Sequence, residues 1–385
     1  MTAPVEGTVR IAMPCTGLGR QRRGFERFTR ELHEALRHAA GIDLAVYGGG
    51  GDLRADEHAV WNLPRASGAA RLLARATGWG PYFVEQATFF GGFLPHLLAW
   101  RPHLVYFADL NLGNACWHWR RLSGQRFHLL FYNGGATTMP YTRCDWVQQL
   151  TPEHFDAARA RGEPADRMFV LPHGIEVPAA LPPRDRSRVA ATRHALGVPD
   201  GRAMLLSVGL LDCTIKRMDA LIGAVAAMDA DRPYLVLLGA ETEETPAVRA
   251  RARELLPDGC SIGTWSPDRM ADAYDAADAF ALLSLREGFG LAYVEALAAG
   301  VPCVAHDTPG TRHLLGGHAF LGDTRVAATV TALVRAALSS SGDESARRAR
   351  HVHARTHFAW SALAPRYAEM LRSCASGQQP AWGAS

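Results

Sequence analysis

Short apolar runs alternate with amphipathic segments along the first half of the chain. The short runs are typical of buried strands, and the segments between them follow a helical period. The segment 24–39 shows that period best, because Phe25, Phe28, Leu32 and Leu36 fall on one helical face. We therefore predict strands at 9–13, 43–47, 104–107, 128–132, 146–150 and 168–171, and helices at 24–39 and 152–161. Residues 51–80 show no readable pattern.

The alternation stops at 178–188, where prolines and charges replace any period, and then it restarts. This break predicts an interdomain linker. The second half should contain strands at 204–208, 234–238, 260–262, 279–283 and 302–305, with helices at 218–228, 247–256, 267–276 and 291–299. Alternating strands and helices predict parallel sheets covered by helices, so the fold class is α/β. Two such Rossmann-like domains facing each other would form a cleft at the carboxyl ends of their strands.

Composition and charge exclude several classes of protein. The chain has 385 residues, of which 48% are hydrophobic and 21% charged, as in an ordinary globular protein of two domains. A net charge of +3 argues against nucleic acid as the main partner. The start of the chain shows no secretory leader, no apolar run spans a bilayer, and the 7 cysteines form no Cys-x-x-Cys pair. We expect a reduced, cytoplasmic protein without a metal site.

The most informative motif is the segment 287–295, Glu-Gly-Phe-Gly-Leu-Ala-Tyr-Val-Glu. It follows a predicted strand and opens a predicted helix, so its glycine loop should direct backbone N–H groups and a helix N-terminus at one spot. Such a spot binds anions. Carboxylates beside a phosphate would repel it, so Glu287 and Glu295 should bind hydroxyls. Phosphate and hydroxyls together describe a nucleotide sugar, although either glutamate taken singly is better explained as compensation of a helix dipole.

The whole segment resembles the Glu-x7-Glu signature of retaining glycosyltransferases of family 4, which have the GT-B fold. The match extends through 296–305 to 307–310. The resemblance implies a metal-independent hexosyltransferase that moves a sugar from a UDP- or GDP-linked donor to an acceptor hydroxyl with retention of configuration, without a further cofactor. It assigns Glu287 to the donor sugar and Glu295 to the ribose. It also implies that backbone groups hold phosphate and sugar at Gly288, Phe289, Gly290 and Leu291.

A second segment, 207–222, resembles the part of these enzymes that holds the donor diphosphate with a paired Arg and Lys. Lys216 falls on the lysine position and Gly209 lies in the preceding turn, but Leu210 occupies the arginine position. Cleavage of a sugar–phosphate bond leaves a charged diphosphate, so loss of one cation should slow the reaction unless another replaces it. The candidates for that replacement are Arg217 and the arginines within 20–23.

The resemblance assigns three further positions to donor binding. Gly17 and Gly19 follow the first strand, where glycines would let the backbone approach the donor phosphates. Trp265 lies where these enzymes bind the nucleotide base and offers a stacking face, although a core position explains it at least as well. His173 occupies a position where the family usually has Asn. A structural role in the turn, with its hydrogen bonds satisfied, explains this histidine better than a functional role.

The acceptor is expected to bind the first domain. Asn133 follows the predicted strand at 128–132, where related enzymes often carry a His near the reacting sugar. Asn cannot act as a general base, but it can hydrogen-bond sugar hydroxyls. Asp109, beyond the predicted strand at 104–107, is the second acceptor-side candidate. We therefore assign catalysis to Glu287, Lys216, Asn133 and Asp109.

The resemblance also divides the chain. It implies an acceptor domain at 1–180, a donor domain at 181–355 and a final helix at 356–372 that crosses back to the first domain. The polar tail at 373–385 is expected to be disordered. The expected partners are the donor and a sugar, lipid or small-molecule acceptor, with no nucleic acid and with room for a peripheral membrane contact. Two alternatives stay open: a nucleotide-sugar epimerase of the same architecture, and a non-catalytic subunit that binds nucleotide sugars.

Overall fold

The computed structural model describes residues 7–21, 24–135, 140–229 and 231–382. It divides the chain into two compact units. The first unit contains Met1–Gly174 together with Trp360–Ser385, and the second contains Ile175–Ala359. In each unit a parallel sheet forms the centre and helices connect its strands, so the predicted α/β class with two Rossmann-like domains is confirmed.

The first unit is built on seven parallel strands: β1 (Val9–Cys15), β2 (Ile42–Gly48), β3 (Glu57–Ala59), β4 (Leu104–Phe107), β5 (His128–Asn133), β6 (Trp146–Gln149) and β7 (Met168–Val170). They lie in the order β3-β2-β1-β4-β5-β6-β7. The connecting helices are α1 (Gly24–Leu36), α2 (Gly68–Thr77), α3 (Pro81–Trp100), α4 (Leu110–Ser123) and α5 (Pro152–Arg159). The strand order reverses between β1 and β4, so their carboxyl ends flank the point where such sheets bind ligands.

The second unit has six parallel strands: β8 (Met204–Val208), β9 (Tyr234–Leu238), β10 (Cys260–Gly263), β11 (Ala279–Leu282), β12 (Cys303–His306) and β13 (Ala319–Gly322). Their order is β10-β9-β8-β11-β12-β13, with the reversal between β8 and β11. The helices are α6 (Arg186–Ala195), α7 (Met218–Ala226), α8 (Thr245–Leu255), α9 (Met270–Ala276), α10 (Leu291–Ala298), α11 (Pro309–Leu315), α12 (Ala327–Ser339) and α13 (Glu344–Phe358).

The final helix, α14 (Trp360–Ala375), belongs to the first unit. Its Tyr367 hydroxyl donates to the carbonyl oxygen of Pro172 at 2.8 Å and accepts from Nε2 of Gln148 at 2.9 Å. Nε1 of Trp360 donates to Oε2 of Glu31 at 3.1 Å. The helix expected at 356–372 begins at Trp360, shortly after α13 ends at Phe358.

The boundaries between the units lie at 174 and 359, whereas the sequence placed them at 180 and 355. The reason is a contact that composition does not reveal. Ile175 forms a parallel bridge with Ala359, and its N–H donates to the carbonyl oxygen of Phe358 at 2.8 Å. The segments by which the chain enters and leaves the second unit thus lie side by side. The proline-rich segment at 178–188 is attached to the second unit, since the carbonyl oxygens of Pro178 and Pro182 are hydrogen-bonded to α13.

The tail is not disordered over its described part, so that prediction is wrong for 373–382. Residues 373–375 complete α14. The ring of Trp382 packs edge-on against Phe169, with centroids 5.9 Å apart, and Cζ of Arg366 lies 4.4 Å from the Trp382 ring centroid. The polar composition of the tail did not indicate that Trp382 packs against Phe169.

The segment 51–80, for which the sequence predicted no helix or strand, contains β3 and α2, and α3 follows it. Neither element shows an apolar period, because β3 buries only Glu57 and α2 buries only Ala70 and Ala74. Helix α3 contains Pro95, which reads as a helix breaker in the sequence. Across the described ranges, every helix falls short of the length and apolarity needed to cross a bilayer.

Candidate functional site

Two loops of the second unit meet where its strand order reverses. One loop follows β8 and spans 209–217, and the other follows β11 and spans 283–290. The two strands are neighbours, with Leu205 paired to Ala279 in parallel register. Open α/β sheets bind ligands in the crevice between two such loops. The structure brings Lys216 and Glu287 together there.

Lys216 and Glu287 form a close ion pair. Nζ of Lys216 donates to Oε1 of Glu287 at 2.6 Å and to Oε2 at 2.9 Å. The two side chains are only 17% and 15% exposed, so water screens the pair weakly. Removing one partner from such a site leaves an uncompensated charge in a poorly hydrated place. A ligand that binds the ammonium of Lys216 removes it from Glu287. Such a ligand must therefore also offer hydroxyls or another hydrogen-bond donor to the carboxylate of Glu287.

Lys216 has a further property that the motif did not require. The chain contains 41 Lys and Arg residues in total, and Lys216 is its only lysine. Arginine supplies every other permanent side-chain cation. An ammonium is a compact point charge, whereas a guanidinium is a planar fork. The single lysine was a signal in the sequence that marks this position independently of any family motif.

The loop after β8 is shaped by glycine and by Asp212. A Cβ at Gly209 would stand 3.1 Å from Cγ of Lys216, so glycine lets the lysine stem pass close to the end of the strand. At Gly239 a Cβ would meet the carbonyl oxygen of Gly209 at 1.5 Å, so this neighbour must also be glycine. Oδ1 of Asp212 accepts the N–H groups of Ile215 at 2.8 Å and of Lys216 at 2.6 Å, which fixes the turn.

The loop after β11 delivers the N-terminus of α10 to the same crevice. Gly290 precedes the helix with φ of +92°, a conformation that favours glycine. Tyr293 donates to the carbonyl oxygen of Leu282 at 2.6 Å and ties the helix to the strand. Phe289 is buried and packs edge-on against Phe358, with centroids 5.8 Å apart. Because the loop is anchored on both sides, the partial positive charge of the helix N-terminus has a defined position.

Glu295 lies on α10, half-buried, and is held by a residue that sequence reasoning missed. The hydroxyl of Tyr274 donates to Oε2 of Glu295 at 2.8 Å. Tyr274 is 2% exposed and comes from α9. No motif surrounds it, so only the packing of α9 against α10 identifies it as the residue that positions Glu295.

Arg217 ends the loop after β8, and its guanidinium is bound to backbone carbonyl groups of the second unit. Its Nη1 donates to the carbonyl oxygens of Leu283 at 3.2 Å and Thr324 at 3.3 Å, which ties the end of β11 to the loop after β13. Its φ of +56° is unusual for a side chain of this size. Leu210, at the family's arginine position, is 39% exposed. Arg20 donates to Asn62 in the first unit, and positions 22 and 23 lie outside the described residues.

Trp265 is half-buried and is not among the buried core residues of the second unit. Cζ of Arg269 lies 4.0 Å from its ring centroid, a cation–π contact. One face of the indole therefore already carries a guanidinium. A nucleotide base would stack on the opposite face or displace Arg269.

Ser284 is a second residue that the sequence did not indicate. It is 2% exposed and lies shortly before Glu287 in the loop after β11. Within the part of the chain that the structure describes, its Oγ lacks a hydrogen-bond partner. A buried polar group left in this state costs about 1–3 kcal/mol, and a hydrogen bond to a ligand or water would relieve that cost.

In the first unit the predicted glycines pack against a second glycine turn. Gly19 has φ of +84°, and a Cβ there would stand 2.5 Å from the carbonyl oxygen of Gly50. The N–H of Asp52 donates to the carbonyl oxygen of Gly19 at 2.8 Å. The carbonyl oxygen of Gly17 accepts from the N–H of Gln21 at 2.8 Å. The requirement for glycine at 19 is thus explained by backbone contact between the loops after β1 and β2.

Asp109 lies where the strand order of the first unit reverses. It follows β4, and its Oδ2 accepts from Oγ1 of Thr16, which follows β1, at 2.9 Å. Its Oδ1 accepts from the hydroxyl of Tyr82 at the start of α3. Cζ of Arg65 lies 4.3 Å from the Tyr82 ring centroid. The predicted carboxylate thus sits at the ligand-binding edge of this sheet, half-buried, among hydroxyl groups.

Asn133 and His173 are buried instead. Asn133 is 1% exposed, and its Nδ2 donates to the hydroxyl of Tyr141 at 2.9 Å and to Oε1 of Gln149 at 2.8 Å. Because Asn133 is buried, its position does not support the expected contact with an acceptor. His173 is 1% exposed, and its Nδ1 lies 2.9 Å from the hydroxyl of Tyr132. Burial lowers the pKa of His173 to about 3, so it is a neutral core residue.

Among residues 7–21, 24–135, 140–229 and 231–382, no cluster of three or more His, Cys, Asp or Glu side chains is arranged to hold a metal ion. Lys216 and the N-terminus of α10 are positive groups at the crevice in the second unit.

The chain was compared with known families and proteins. Residues 189–352 match the family described as "Glycosyl transferases group 1". A D-inositol 3-phosphate glycosyltransferase of Xylanimonas cellulosilytica is 31% identical over 175 residues, which are 43% of this chain and 41% of that protein. An alpha-monoglucosyldiacylglycerol synthase of Streptococcus pneumoniae is 30% identical over 159 residues, 39% and 35% of the two chains. The chain thus matches less than half the length of these curated relatives.

Solved structures resemble the chain over nearly its whole length. A sucrose-phosphate synthase from Thermosynechococcus elongatus has a TM-score of 0.77 at 19% identity and covers 94% of this chain and 98% of its own. HepE of Anabaena, solved in complex with UDP and glucose, has a TM-score of 0.73 at 16% identity and covers 95% and 100%. At this level of identity the likeness concerns the fold, and the predicted GT-B class is confirmed.

Proposed function

We propose that this chain, whose residues 189–352 form a domain of the glycosyl transferases group 1 family, transfers a hexosyl group from a UDP- or GDP-linked sugar to an acceptor hydroxyl with retention of configuration. The observation that carries the proposal is the Lys216–Glu287 pair at the reversal between β8 and β11, beside the N-terminus of α10. A cation, a helix N-terminus and a carboxylate in one crevice suit a ligand with both a diphosphate and hydroxyl groups.

Donor binding would rearrange the ion pair. The diphosphate takes Nζ of Lys216 and the N–H groups at the start of α10, both of which favour negative charge. Glu287 then loses its cation and accepts hydrogen bonds from hydroxyls of the donor sugar. Glu295, held by Tyr274, accepts from the ribose. Each group that the donor removes from an existing partner is offered a new one, so binding leaves no buried charge without a partner.

In the reaction the bond between the anomeric carbon and the diphosphate oxygen breaks. The acceptor oxygen bonds to the anomeric carbon on the same face, and its proton passes to the departing phosphate oxygen. Charge on the leaving diphosphate grows in the transition state, so Lys216 and the N-terminus of α10 stabilise that state more than the bound substrate. The two groups supply the positive charge that this step needs without requiring a metal ion.

The acceptor would meet the first unit at Asp109. This carboxylate accepts hydrogen bonds from the hydroxyls of Thr16 and Tyr82, which supports a role in binding hydroxyl groups. The curated relatives are named for a cyclitol phosphate and for a glycolipid. A sugar, lipid or small-molecule acceptor agrees with these names and with the local chemistry.

UDP is the first donor nucleotide to test, because the related HepE structure was solved with UDP and with UDP-glucose. Thermal unfolding should be recorded with UDP, GDP and ADP, since a ligand that binds only the native state raises Tm. The matching nucleotide sugars are then incubated with the protein, and hydrolysis or transfer products are identified by mass spectrometry and NMR. Lys216→Ala is the loss-of-function variant, and Arg325→Ala, an exposed arginine paired with Asp323, is its control.

A folded protein that no nucleotide stabilises would overturn the proposal. Nucleotide binding without turnover of any donor would favour the non-catalytic subunit. Conversion of the donor to its epimer in the absence of acceptor would favour the epimerase.

A further inference from the structure

The first unit has a long segment without acidic residues. From position 58 to position 84 the sequence contains no Asp or Glu, but it contains Arg65, Arg71 and Arg75. Arg65 is neutralised by Glu85 at 2.6 Å. Arg71 and Arg75 are exposed on α2. The segment therefore presents positive charge to its surroundings.

Helix α2 is inverted relative to an ordinary surface helix. Its buried face consists of Ala70 and Ala74, which are 0% and 6% exposed. Leu72 is 70% exposed, and Leu73 is partly exposed at 37%. A helix that only covered a core would bury its leucines and leave small or polar residues outside. Leu72 thus contributes little to the stability of the folded unit.

Exposed aromatic rings continue this surface where α2 turns into α3. Trp79 is 50% and Phe83 38% exposed, and their ring centroids lie 4.9 Å apart in an edge-to-face contact. The turn joins the leucines to these rings, because Oγ1 of Thr77 donates to the carbonyl oxygen of Leu73 and accepts from the N–H of Trp79. Isolated exposed apolar side chains are common, but a contiguous group of them marks a binding surface.

We infer that residues 68–83 form a docking surface for a bilayer of anionic phospholipids. Leucines and aromatic rings beside arginines, without any carboxylate in the segment, match the chemistry of that interface. Apolar side chains enter the headgroup boundary, tryptophan prefers that depth, and arginines are attracted to anionic headgroups. A protein partner with a mixed surface would be expected to meet some acidic residues as well as basic ones.

The docking surface adjoins the candidate acceptor site. Tyr82 is 36% exposed between Trp79 and Phe83, and its hydroxyl donates to Asp109. A bilayer bound to this surface therefore lies next to the carboxyl edge of the first unit's sheet. If the proposed transfer activity holds, this arrangement favours an acceptor carried by a lipid anchor.

Vesicle flotation of the full chain tests the inference without any turnover. We expect binding to vesicles of phosphatidylcholine mixed with phosphatidylglycerol, and much weaker binding to phosphatidylcholine alone. Trp79→Ser/Phe83→Ser should lower the partition coefficient by about tenfold or more. Arg71→Gln/Arg75→Gln should lower it by about fivefold per arginine on the anionic vesicles only. Leu122→Ser, an 84% exposed leucine on α4, is the matched control and should bind as the wild type does.

Failure of the wild-type chain to float with anionic vesicles overturns the inference, as does equal loss in Leu122→Ser. Sedimentation velocity of the same proteins provides the competing outcome. A wild-type dimer that Trp79→Ser/Phe83→Ser converts to a monomer, without vesicle binding, would make the surface an interface between two copies. Circular dichroism and the nucleotide-induced shift in Tm, measured on every variant, separate this result from failure of the proposed function.

Discussion

The ammonium of Lys216 lies within hydrogen-bonding distance of both carboxylate oxygens of Glu287, at 2.6 and 2.9 Å. These residues are 71 positions apart in the chain and meet only because β8 and β11 are neighbours in the sheet. Their contact joins the two segments that resemble donor-binding motifs, and it is the place where we propose that a nucleotide sugar binds.

Replacement of Lys216 should affect turnover more than donor binding. Lys216→Ala should lower kcat about 100-fold, because the diphosphate charge that the lysine faces grows in the transition state. Lys216→Arg should recover only part of the rate, since a planar guanidinium does not fit the path along Gly209 as an ammonium does. Steady-state kinetics with the donor found in the screen measures both. A change confined to the KM of the donor would contradict the role in leaving-group stabilisation.

The ion pair should also show coupling in stability. Lys216→Met and Glu287→Gln should each lower the free energy of unfolding by about 1–3 kcal/mol, because each leaves one charge without its partner in a poorly exposed place. The double variant should lose clearly less than the sum of the two. Urea denaturation of the four proteins in the absence of nucleotide gives the coupling energy. Strict additivity would mean that the pair is not formed in solution.

Glu295 is predicted to hold the ribose. Glu295→Gln should weaken nucleotide binding by about 1–3 kcal/mol, the contribution of a charged hydrogen bond, without unfolding the chain. Tyr274→Phe should weaken it by about 0.5–1.5 kcal/mol, because it removes only the hydroxyl that positions the carboxylate. Isothermal titration calorimetry measures both affinities. Glu254→Gln, at an exposed position on α8, serves as the control, and unchanged affinity in Glu295→Gln would remove the assignment.

Leu210 stands at the position where the family has arginine. If the site merely lacks one diphosphate contact, Leu210→Arg should raise kcat by about tenfold, since an added cation stabilises the leaving group. Ile215→Arg places the same charge in the same loop at another exposed position and should give no comparable gain. Single-turnover rates separate the chemical step from product release. A fall in rate for Leu210→Arg would indicate a different arrangement of the donor in this protein.

A group of histidines should make the second unit sensitive to acid. Burial, followed by the charge of His353, lowers the pKa values of His313, His318 and His357 below their usual value. The ring of His353 lies 5.0 Å from that of His318 and 4.7 Å from that of His357. Because the folded pKa values are lower than the unfolded value of about 6.5, protons bind preferentially to the unfolded chain as pH falls.

The contribution of these histidines to the free energy of unfolding should therefore be fully present above about pH 6.5. It should decline as the pH falls below that value. Urea denaturation between about pH 7.5 and pH 5 measures the decline. His353→Gln should make the decline shallower, since it removes one charge that disfavours protonation of the others. The same slope in His353→Gln and in the wild type would exclude His353 as a cause.

The sequence alone determined most of the elements that are built by local periodicity. Strands predicted at 204–208 and 234–238 coincide with Met204–Val208 and Tyr234–Leu238. A buried strand of a parallel sheet is a short apolar run, and this property belongs to the segment itself. The same reasoning identified the glycine loop before α10, because a turn of that shape requires glycine at 290. The fold class followed from the alternation of these elements.

The tertiary structure decided everything that depends on contacts between distant segments. The bridge between Ile175 and Ala359 set the boundaries of the units, and Trp382 anchored a tail whose composition predicted disorder. Tyr274 became the partner of Glu295 only through helix packing. The Lys216–Glu287 pair required strand order, which sequence periodicity does not contain. Local patterns report the environment of one segment, whereas a site is made by side chains that the chain brings together from several segments.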